Sequence, residues 1–459
     1  MSIQRTALAI IYAGLLAVLT IPAINFAASP TGWSLDIILQ AYLLVLIPAA
    51  ALCHSVLARN HNLAWSVYWT WSLVFLGLAS AYQLTVGKFP WGGVMSEEDI
   101  STAQRVVILG HAAAIGAFTI TWLRARTHKA KPKPIDLSNS PRLAWGVTVA
   151  LLAHAAITLI FSAIMGTAMI SGRSAFQAGL AANGAIPSFG SMYFLSNAGA
   201  IILPAMAILL RKKGLNIAMP ALVLSVALAF VATNPLIGSR FLTGSFLVAV
   251  TAALISPQAR RWMPAGIIVA FVTVFPTLDL LRGDGTGATE VAITHPSETL
   301  TTFDYDAFEM LTREVSLHGE LNTDISRADL AIAPFLRWVP ILSDMVQGHA
   351  SGPVIATSTG MGYTNVSMPL WAEADLLGAG LAVLVVFTSI GFALAHAQRG
   401  TLFGALTEVP VAALLFIVLR GSLYEVLGYV LLALVVAVVF TRLHSKDQSF
   451  RRISRQLQN

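Results

Sequence analysis

Arginines beside small-residue turns are the first residues in this 459-residue chain whose type and setting suit chemistry. Arg240 lies in NPLIGSRF, Arg282 in LDLLRGDG and Arg420 in VLRGSL, each next to the end of an apolar run. The neighbouring Gly and Ser let a ligand approach the backbone closely. A guanidinium offers a planar fork of donors, stays charged at every relevant pH and pairs bidentately with phosphate oxygens, so these turns suit a phosphate or pyrophosphate. The ordinary alternative is that each arginine pairs with a loop carboxylate or reaches to lipid headgroups. Two carboxylate pairs complete the set. Asp304 with Asp306 reads as a helix start or a solvated face, whereas Glu373 with Asp375 precedes an apolar run and could act as base on a hydroxyl that loses its proton in a transition state. No HExxH, GxSxG, P-loop or CxxC motif accompanies them. The single cysteine, Cys53, can form neither an intrachain disulfide nor a thiolate cluster.

The elements that must position these residues are membrane spans. Hydrophobic residues make up 56% of the chain and charged residues 11%, against about 45–50% and about 25% in a soluble protein. Apolar runs at about 7–27, 35–57, 63–86, 106–123, 143–170, 189–210, 215–232, 241–256, 263–281, 374–395, 402–419 and 425–441 predict an all-α polytopic membrane protein of about twelve transmembrane helices. The first run follows Arg5 and is long enough to span, so it reads as a helix and not as a cleaved signal peptide. The loop RARTHKAKPKP carries five basic residues. Positive charge beside spans stays cytoplasmic, which places both termini inside.

Under that alternation 19 of the 28 basic residues are cytoplasmic. The other nine are Lys88 and eight arginines: Arg105, Arg173, Arg240, Arg282, Arg313, Arg327, Arg337 and Arg420. Most acids also fall outside, from Glu97, Glu98 and Asp99 onward. Basic residues spread through short gaps set topology and do not build one basic face, which argues against a nucleic-acid partner.

The chain divides into nine spans over 1–281, an outer loop over 282–369, three spans over 370–441 and a basic cytoplasmic tail over 442–459. The outer loop is the one large extramembrane segment, and its aromatic and aliphatic content predicts that it is folded and partly helical. It begins with RGDGTGATEVAITHPSE, which reads as loop. In DYDAFEMLTREVSLHG, Phe308, Leu311 and Val315 share one helical face, with Glu309 and Arg313 elsewhere, as in an interfacial or packed amphipathic helix. A further helix is expected from Asp324 to about Leu336, stopped by Pro340. His111 and His154 stand alone on apolar runs and read as packed side chains.

On these features the chain resembles the Wzy-type oligosaccharide repeat-unit polymerases of bacterial surface polysaccharide assembly, which are related to the O-antigen ligases. The resemblance rests on the order of spans around one large late loop, on NPLIGSRF, and on LRWVPILSDMVQGHASG followed by GYTNVSMPLWAEADLLGAG, with VLRGSL as the late arginine turn. It implies a glycosyltransferase of the bacterial inner membrane, working on the periplasmic face. Such an enzyme transfers a growing glycan from undecaprenyl pyrophosphate to the non-reducing end of another lipid-linked repeat unit. No cofactor and no metal are expected, because arginines replace the cation. Arg240, Arg282, Arg337 and Arg420, with Arg327 and Arg173, would bind pyrophosphate or stabilise its departure. Asp375 or Glu373 would serve as base, with Arg282 beside the reacting bond. Membrane lipids and a chain-length regulator protein are the further partners. One departure from the family's pattern is the order Arg337, Trp338, Val339, Pro340, which leaves the arginine apart from the proline.

Two other functions compete. A ligase would use the same donor with a lipid A core acceptor and would carry a histidine in the run leading to the span after the loop; residues 362–380 contain none, although His349 lies just before. A flippase or transporter for the same lipid-linked sugar would need ionisable residues in mid-span, and a carrier of two similar halves would show an internal repeat. Here mid-span ionisable residues are few and no fixed-period repeat is visible.

Overall fold

The computed structural model describes residues 32–58, 61–93, 95–127, 135–186, 188–282, 298–321, 323–337, 342–346, 348–363, 366–396 and 401–458, with scattered positions between 6 and 17. All regular structure among them is helical: α1 (Leu35–Leu57), α2 (Leu63–Val86), α3 (Glu97–Thr127), α4 (Pro141–Met165), α5 (Arg173–Asn183), α6 (Phe189–Lys212), α7 (Met219–Ala232), α8 (Arg240–Leu254), α9 (Met263–Arg282), α10 (Ala307–Ser316), α11 (Arg327–Leu336), α12 (Ser351–Ser358), α13 (Leu370–His396), α14 (Leu402–Val418) and α15 (Leu423–Gln458). Seven of these, α1, α2, α3, α4, α6, α13 and α15, are long and apolar enough to cross a membrane. Helices α7, α8, α9 and α14 coincide with further expected runs. The run at about 7–27 lies largely outside the described residues, as do 283–297 of the loop and 128–134 of the basic RARTHKAKPKP segment.

The apolar helices keep large apolar side chains on their outer faces, among them Leu43, Leu159, Val223, Leu247, Leu381 and Val435. A bundle in water would bury such residues, whereas lipid solvates them. Helix α2 is the opposite case. It is buried along its whole membrane-length window and packs against α1, α9, α13 and α14, so Trp65, Tyr68, Trp69, Trp71 and Phe75 are all interior. Its middle, Ser72–Leu78, is a π-helix. Helix α13 lies most extensively along α3, and a Cβ at Gly391 would overlap the Ala114 carbonyl, so glycine sets that close approach. Helix α14 joins the α2 group to a second group formed by α4, α6, α7 and α8.

Alternate turns gather at opposite ends of the bundle. One end holds Arg260 near Glu408 at 3.8 Å, the Arg261 bond to the Val56 carbonyl at 3.1 Å and the Asn62 bond to the Leu394 carbonyl at 2.8 Å. The other, the loop end, holds α10 to α12 and the turns before α8 and α15.

Several boundaries differ from the sequence expectation. Helix α3 starts at Glu97, well before the apolar run, and α15 continues the last span through to Gln458, so the basic tail is helical. The second loop helix starts at Arg327 and not at Asp324, because Ser326 and Asp329 form a reciprocal capping box; Pro340 lies outside the described residues. Of the two readings of the helix at 307–316, interfacial or packed, α10 takes the packed one. Glu309 and Glu314 are as buried as Phe308 and Leu311, because α3, α12 and α13 close around it.

His154 is packed as expected, bonded to Ser225 Oγ at 2.9 Å and the Ser196 carbonyl at 3.1 Å. His111 is likewise enclosed, against Tyr68, Trp69 and Trp371.

Candidate functional site

The turn that carries Arg240 is recessed. Helices α7 and α8 have 14 and 15 residues and run about 21 and 22 Å at 1.5 Å per residue, short of the ~30 Å hydrocarbon thickness. Phe241 therefore meets Phe75 in the middle of α2, with ring centroids 5.8 Å apart. Segment 298–306 of the loop descends to the same level. Tyr305 stacks on Phe75 at 5.2 Å, and its hydroxyl donates to the Phe271 carbonyl at 2.7 Å. Gln83 Nε2 donates to the carbonyls of Leu300 and Tyr305 at 2.8 and 2.9 Å. Irregular backbone at such depth is tolerated when protein surrounds it and its polar groups are bonded.

This descent brings two arginine turns together. Arg240 Nη2 pairs with Asp304 Oδ2 at 2.6 Å, with both side chains buried. Arg420 lies 4.3 Å over the Phe241 ring and reaches Asp306 Oδ1 at 3.5 Å and the Phe303 carbonyl at 3.3 Å. Asp306 is fully buried and also accepts from Trp91 Nε1 at 2.9 Å, Ser367 N at 3.0 Å and Ser367 Oγ. The Arg420 turn is fixed by backbone bonds from Met368 N and Leu370 N, at the start of α13, to the carbonyls of Arg420 and Leu419 at 2.7 and 3.3 Å. Asp306 is the N-cap residue of α10, so the helix-start reading holds for it, whereas neither carboxylate lies on a solvated face. They are the buried counter-ions of the two arginines.

Glu373 and Asp375 face different surroundings. Glu373 is 2% exposed. Its Oε2 accepts from Leu423 N at 2.7 Å and its Oε1 from Ser351 Oγ at 2.8 Å and Ser422 Oγ at 3.3 Å, so it ties α13 to α12 and to the start of α15. A carboxylate engaged in this way is a structural acceptor and leaves little for a substrate. Glu373→Gln should keep these bonds, since the serine hydroxyls can turn to accept. Glu373→Ala should cost about 2–3 kcal/mol by stranding buried donors. Thermal unfolding of the two variants in detergent checks this, and equal loss in both would contradict it.

Asp375 instead lines a cavity of about 290 Å³ between α3, α10, α11 and α13, together with Glu98, Glu314, His318, Arg327 and Ala379. Helix α13 is broken at this wall. Gly378 and Ala379 leave helical geometry, and Ala379 adopts φ +50°, ψ −152°, a region that costs a residue with a side chain about 1–3 kcal/mol. Across the cavity, Gly319 has φ +82°, and a Cβ there would overlap the Arg327 guanidinium, so glycine leaves room for it. Burial and the nearby Asp375 charge hold the Glu314 carboxyl well above the ordinary carboxylate range, with Arg327 acting weakly the other way.

The remaining arginines are dispersed. Arg337 lies 4.3 Å over the Tyr424 ring and donates to the Tyr424 carbonyl at 3.1 Å. Arg173 opens α5. Arg282 ends α9, and its side chain lies outside the described residues. Arg313 pairs with Glu309 at 2.8 Å and Arg105 with Asp36 at 3.5 Å. Arg327 lines the same cavity as Glu98, Glu314 and Asp375.

No protein-family model, curated protein or solved structure matches this chain. The chemistry therefore has to be argued from the site itself. Its two parts differ in kind. The recessed pair Arg240 and Arg420 is suited to an anion of several oxygens, although two carboxylates now occupy the guanidiniums. The carboxylate cavity is suited to hydroxyl groups and proton transfer. The sequence points to Arg240, Arg420 and Asp375 as site residues and to Glu98 only as an outer acid, and it gives Glu314 and His318 no role. For Glu314 there was one available signal: it adjoins Val315 and follows Leu311 by three residues, on the packed side of α10.

Proposed function

We propose that the chain is a polytopic membrane glycosyltransferase of the Wzy type, which extends one lipid-linked oligosaccharide with glycan carried on the pyrophosphate of another. In this reading the loop end faces the periplasm, the twelve spans start and finish in the cytoplasm, and the donor is glycan on undecaprenyl pyrophosphate. The observation that carries it is that Arg240 and Arg420, 180 positions apart in the chain, are brought to one short segment, Arg240 on Asp304 and Arg420 on Asp306 and over the Phe241 ring. Arg420 Nε is buried and donates to nothing among the described residues, which leaves one of its N–H groups for an incoming anion. Asp304 and Asp306 hold the guanidiniums until pyrophosphate oxygens take their place. Fixed donors at the leaving group are then in position to stabilise the charge that develops as the glycosidic bond to phosphate breaks.

The test is the glycan profile of a source strain lacking this chain. Single repeat units on the lipid carrier should accumulate and long chains should vanish. Long chains that persist would overturn the proposal. Long chains stranded on the lipid carrier would assign ligation instead, and lipid-linked glycan confined to the cytoplasmic leaflet would assign translocation.

A further inference from the structure

The carboxylate cavity is a second part of the loop end, lined by residues other than the arginine pair. Glu314 is 3% exposed, and its Oε2 is buried without a hydrogen-bond partner among the described residues. A buried, unsatisfied carboxyl oxygen costs free energy unless something meets it, and this residue lines the cavity. Glu98 comes from α3, His318 from the turn after α10, Arg327 from α11 and Asp375 from α13; on α10 itself, Glu309 and Arg313 are paired with each other. With Glu314 protonated, Glu98 and Asp375 still outnumber the one guanidinium, which disfavours a polyanion. Ionised carboxylates only accept hydrogen bonds, and a neutral carboxyl both donates and accepts, so the matching ligand is rich in hydroxyl groups. The break at Gly378 and Ala379 adds to the case, since it maintains a costly backbone conformation in that wall.

We propose that this cavity seats the acceptor sugar, with Glu314 acting as a neutral acid that hydrogen-bonds one sugar hydroxyl while Asp375 takes the proton of the reacting one. This rests on the glycosyltransferase reading above. The acceptor O–H bond breaks and its proton passes to the Asp375 carboxylate. The oxygen forms a bond to the anomeric carbon of the donor, and the carbon–oxygen bond to pyrophosphate breaks, with its electron pair leaving on the phosphate oxygen. Burial acts more strongly on Glu314 than on the half-buried Asp375, so Glu314 keeps its proton to higher pH and Asp375 is the one to accept.

The test uses purified full-length protein in lipid nanodiscs and the lipid-linked glycan that accumulates in the source strain lacking it. Asp375→Asn should lower the rate of chain formation about 100-fold, the range of a lost general base, with donor-lipid binding unchanged. In the wild type the rate should fall at high pH as Glu314 ionises. Glu314→Gln keeps a neutral donor, so it should retain most of the rate and lose that high-pH fall, whereas Glu314→Leu should raise the acceptor KM at least about tenfold. Wild-type rates in Asp375→Asn, or an unchanged high-pH fall in Glu314→Gln, would overturn the proposal. If the wild type forms no chains, the function reading fails, and saturation-transfer NMR with the same glycan freed of lipid decides the cavity separately. Binding by the wild type that is lost in Glu314→Leu would uphold a saccharide site, and no binding by the wild type would reject it.

Discussion

Arg240→Ala should destabilise the protein by about 3–5 kcal/mol, the usual penalty for leaving a buried charge without its partner. Asp304 would be that charge, held at 2.6 Å from Arg240 with both side chains nearly sealed from water. Loss of activity in this variant would therefore not distinguish phosphate binding from a displaced loop. The double variant Arg240→Gln with Asp304→Asn does distinguish them, because it removes both charges and leaves two amides that can hydrogen-bond to each other. It should unfold within about 1 kcal/mol of the wild type, since replacing both members of a buried pair is often near neutral. It should nevertheless form no long chains if the guanidinium is needed at the departing pyrophosphate. Thermal unfolding in detergent gives the first quantity and the glycan profile gives the second. A stable Arg240→Ala protein would show that Asp304 finds water or another partner, and full polymerisation by the double variant would reduce Arg240 to a fastening for the loop.

The other large effect is expected at Asp306. Four groups point at its fully buried carboxylate: the Trp91 indole N–H, the Ser367 backbone N–H, the Ser367 hydroxyl and, at 3.5 Å, the Arg420 guanidinium. Asp306→Ala would strand all of them and should cost at least about 4 kcal/mol, enough to remove most folded protein from the membrane. Asp306→Asn keeps one acceptor oxygen for the two N–H donors, but its amide then faces Arg420. A loss of about 1.5–3 kcal/mol is expected, from the charge-assisted bond alone. The amount of folded protein recovered from membranes and its unfolding temperature should rank wild type, Asp306→Asn, Asp306→Ala. Equal behaviour of the two variants would mean that charge, and not the acceptor geometry, is what Asp306 supplies.

Much of the helical framework was legible because a span announces itself within its own twenty residues. The runs later found as α1, α2, α6 and α13 needed no knowledge of their neighbours. The start of α11 is written in the sequence as Ser-x-x-Asp, Ser326 to Asp329, the reciprocal cap that the structure forms. The arginine turns were legible as short polar breaks between apolar runs. The partners of those arginines were not, since Asp304 and Asp306 become buried only when segment 298–306 descends against Gln83 and Phe271, far away in sequence. Glu373 and Asp375 show the same limit at close range. They are two residues apart on one helix, about 200° around its axis, and only the elements packed on each side make one a fastening and the other a cavity wall. Glu314 was assigned no role for the same reason: its burial depends on α3 and α13, which flank it from opposite ends of the chain.

The π-helical stretch Ser72–Leu78 in α2 bears on all of this. A π turn accommodates an extra residue that an α-helix of the same rise would not, so the two halves of α2 differ in rotational phase by about 100°. The first half aims Trp65, Tyr68 and Trp69 at α3 and α13. The second half aims Gln83 at the Leu300 and Tyr305 carbonyls. With uniform α pitch through 72–78, a helix seated correctly against its first neighbours would turn the Gln83 amide away from the loop, and the segment bearing Asp304 and Asp306 would lose the bonds that hold its Leu300 and Tyr305 carbonyls. The defect in the central helix therefore acts as an indexing step, setting the orientation of the aromatic core at one end and the docking of the charged segment at the other.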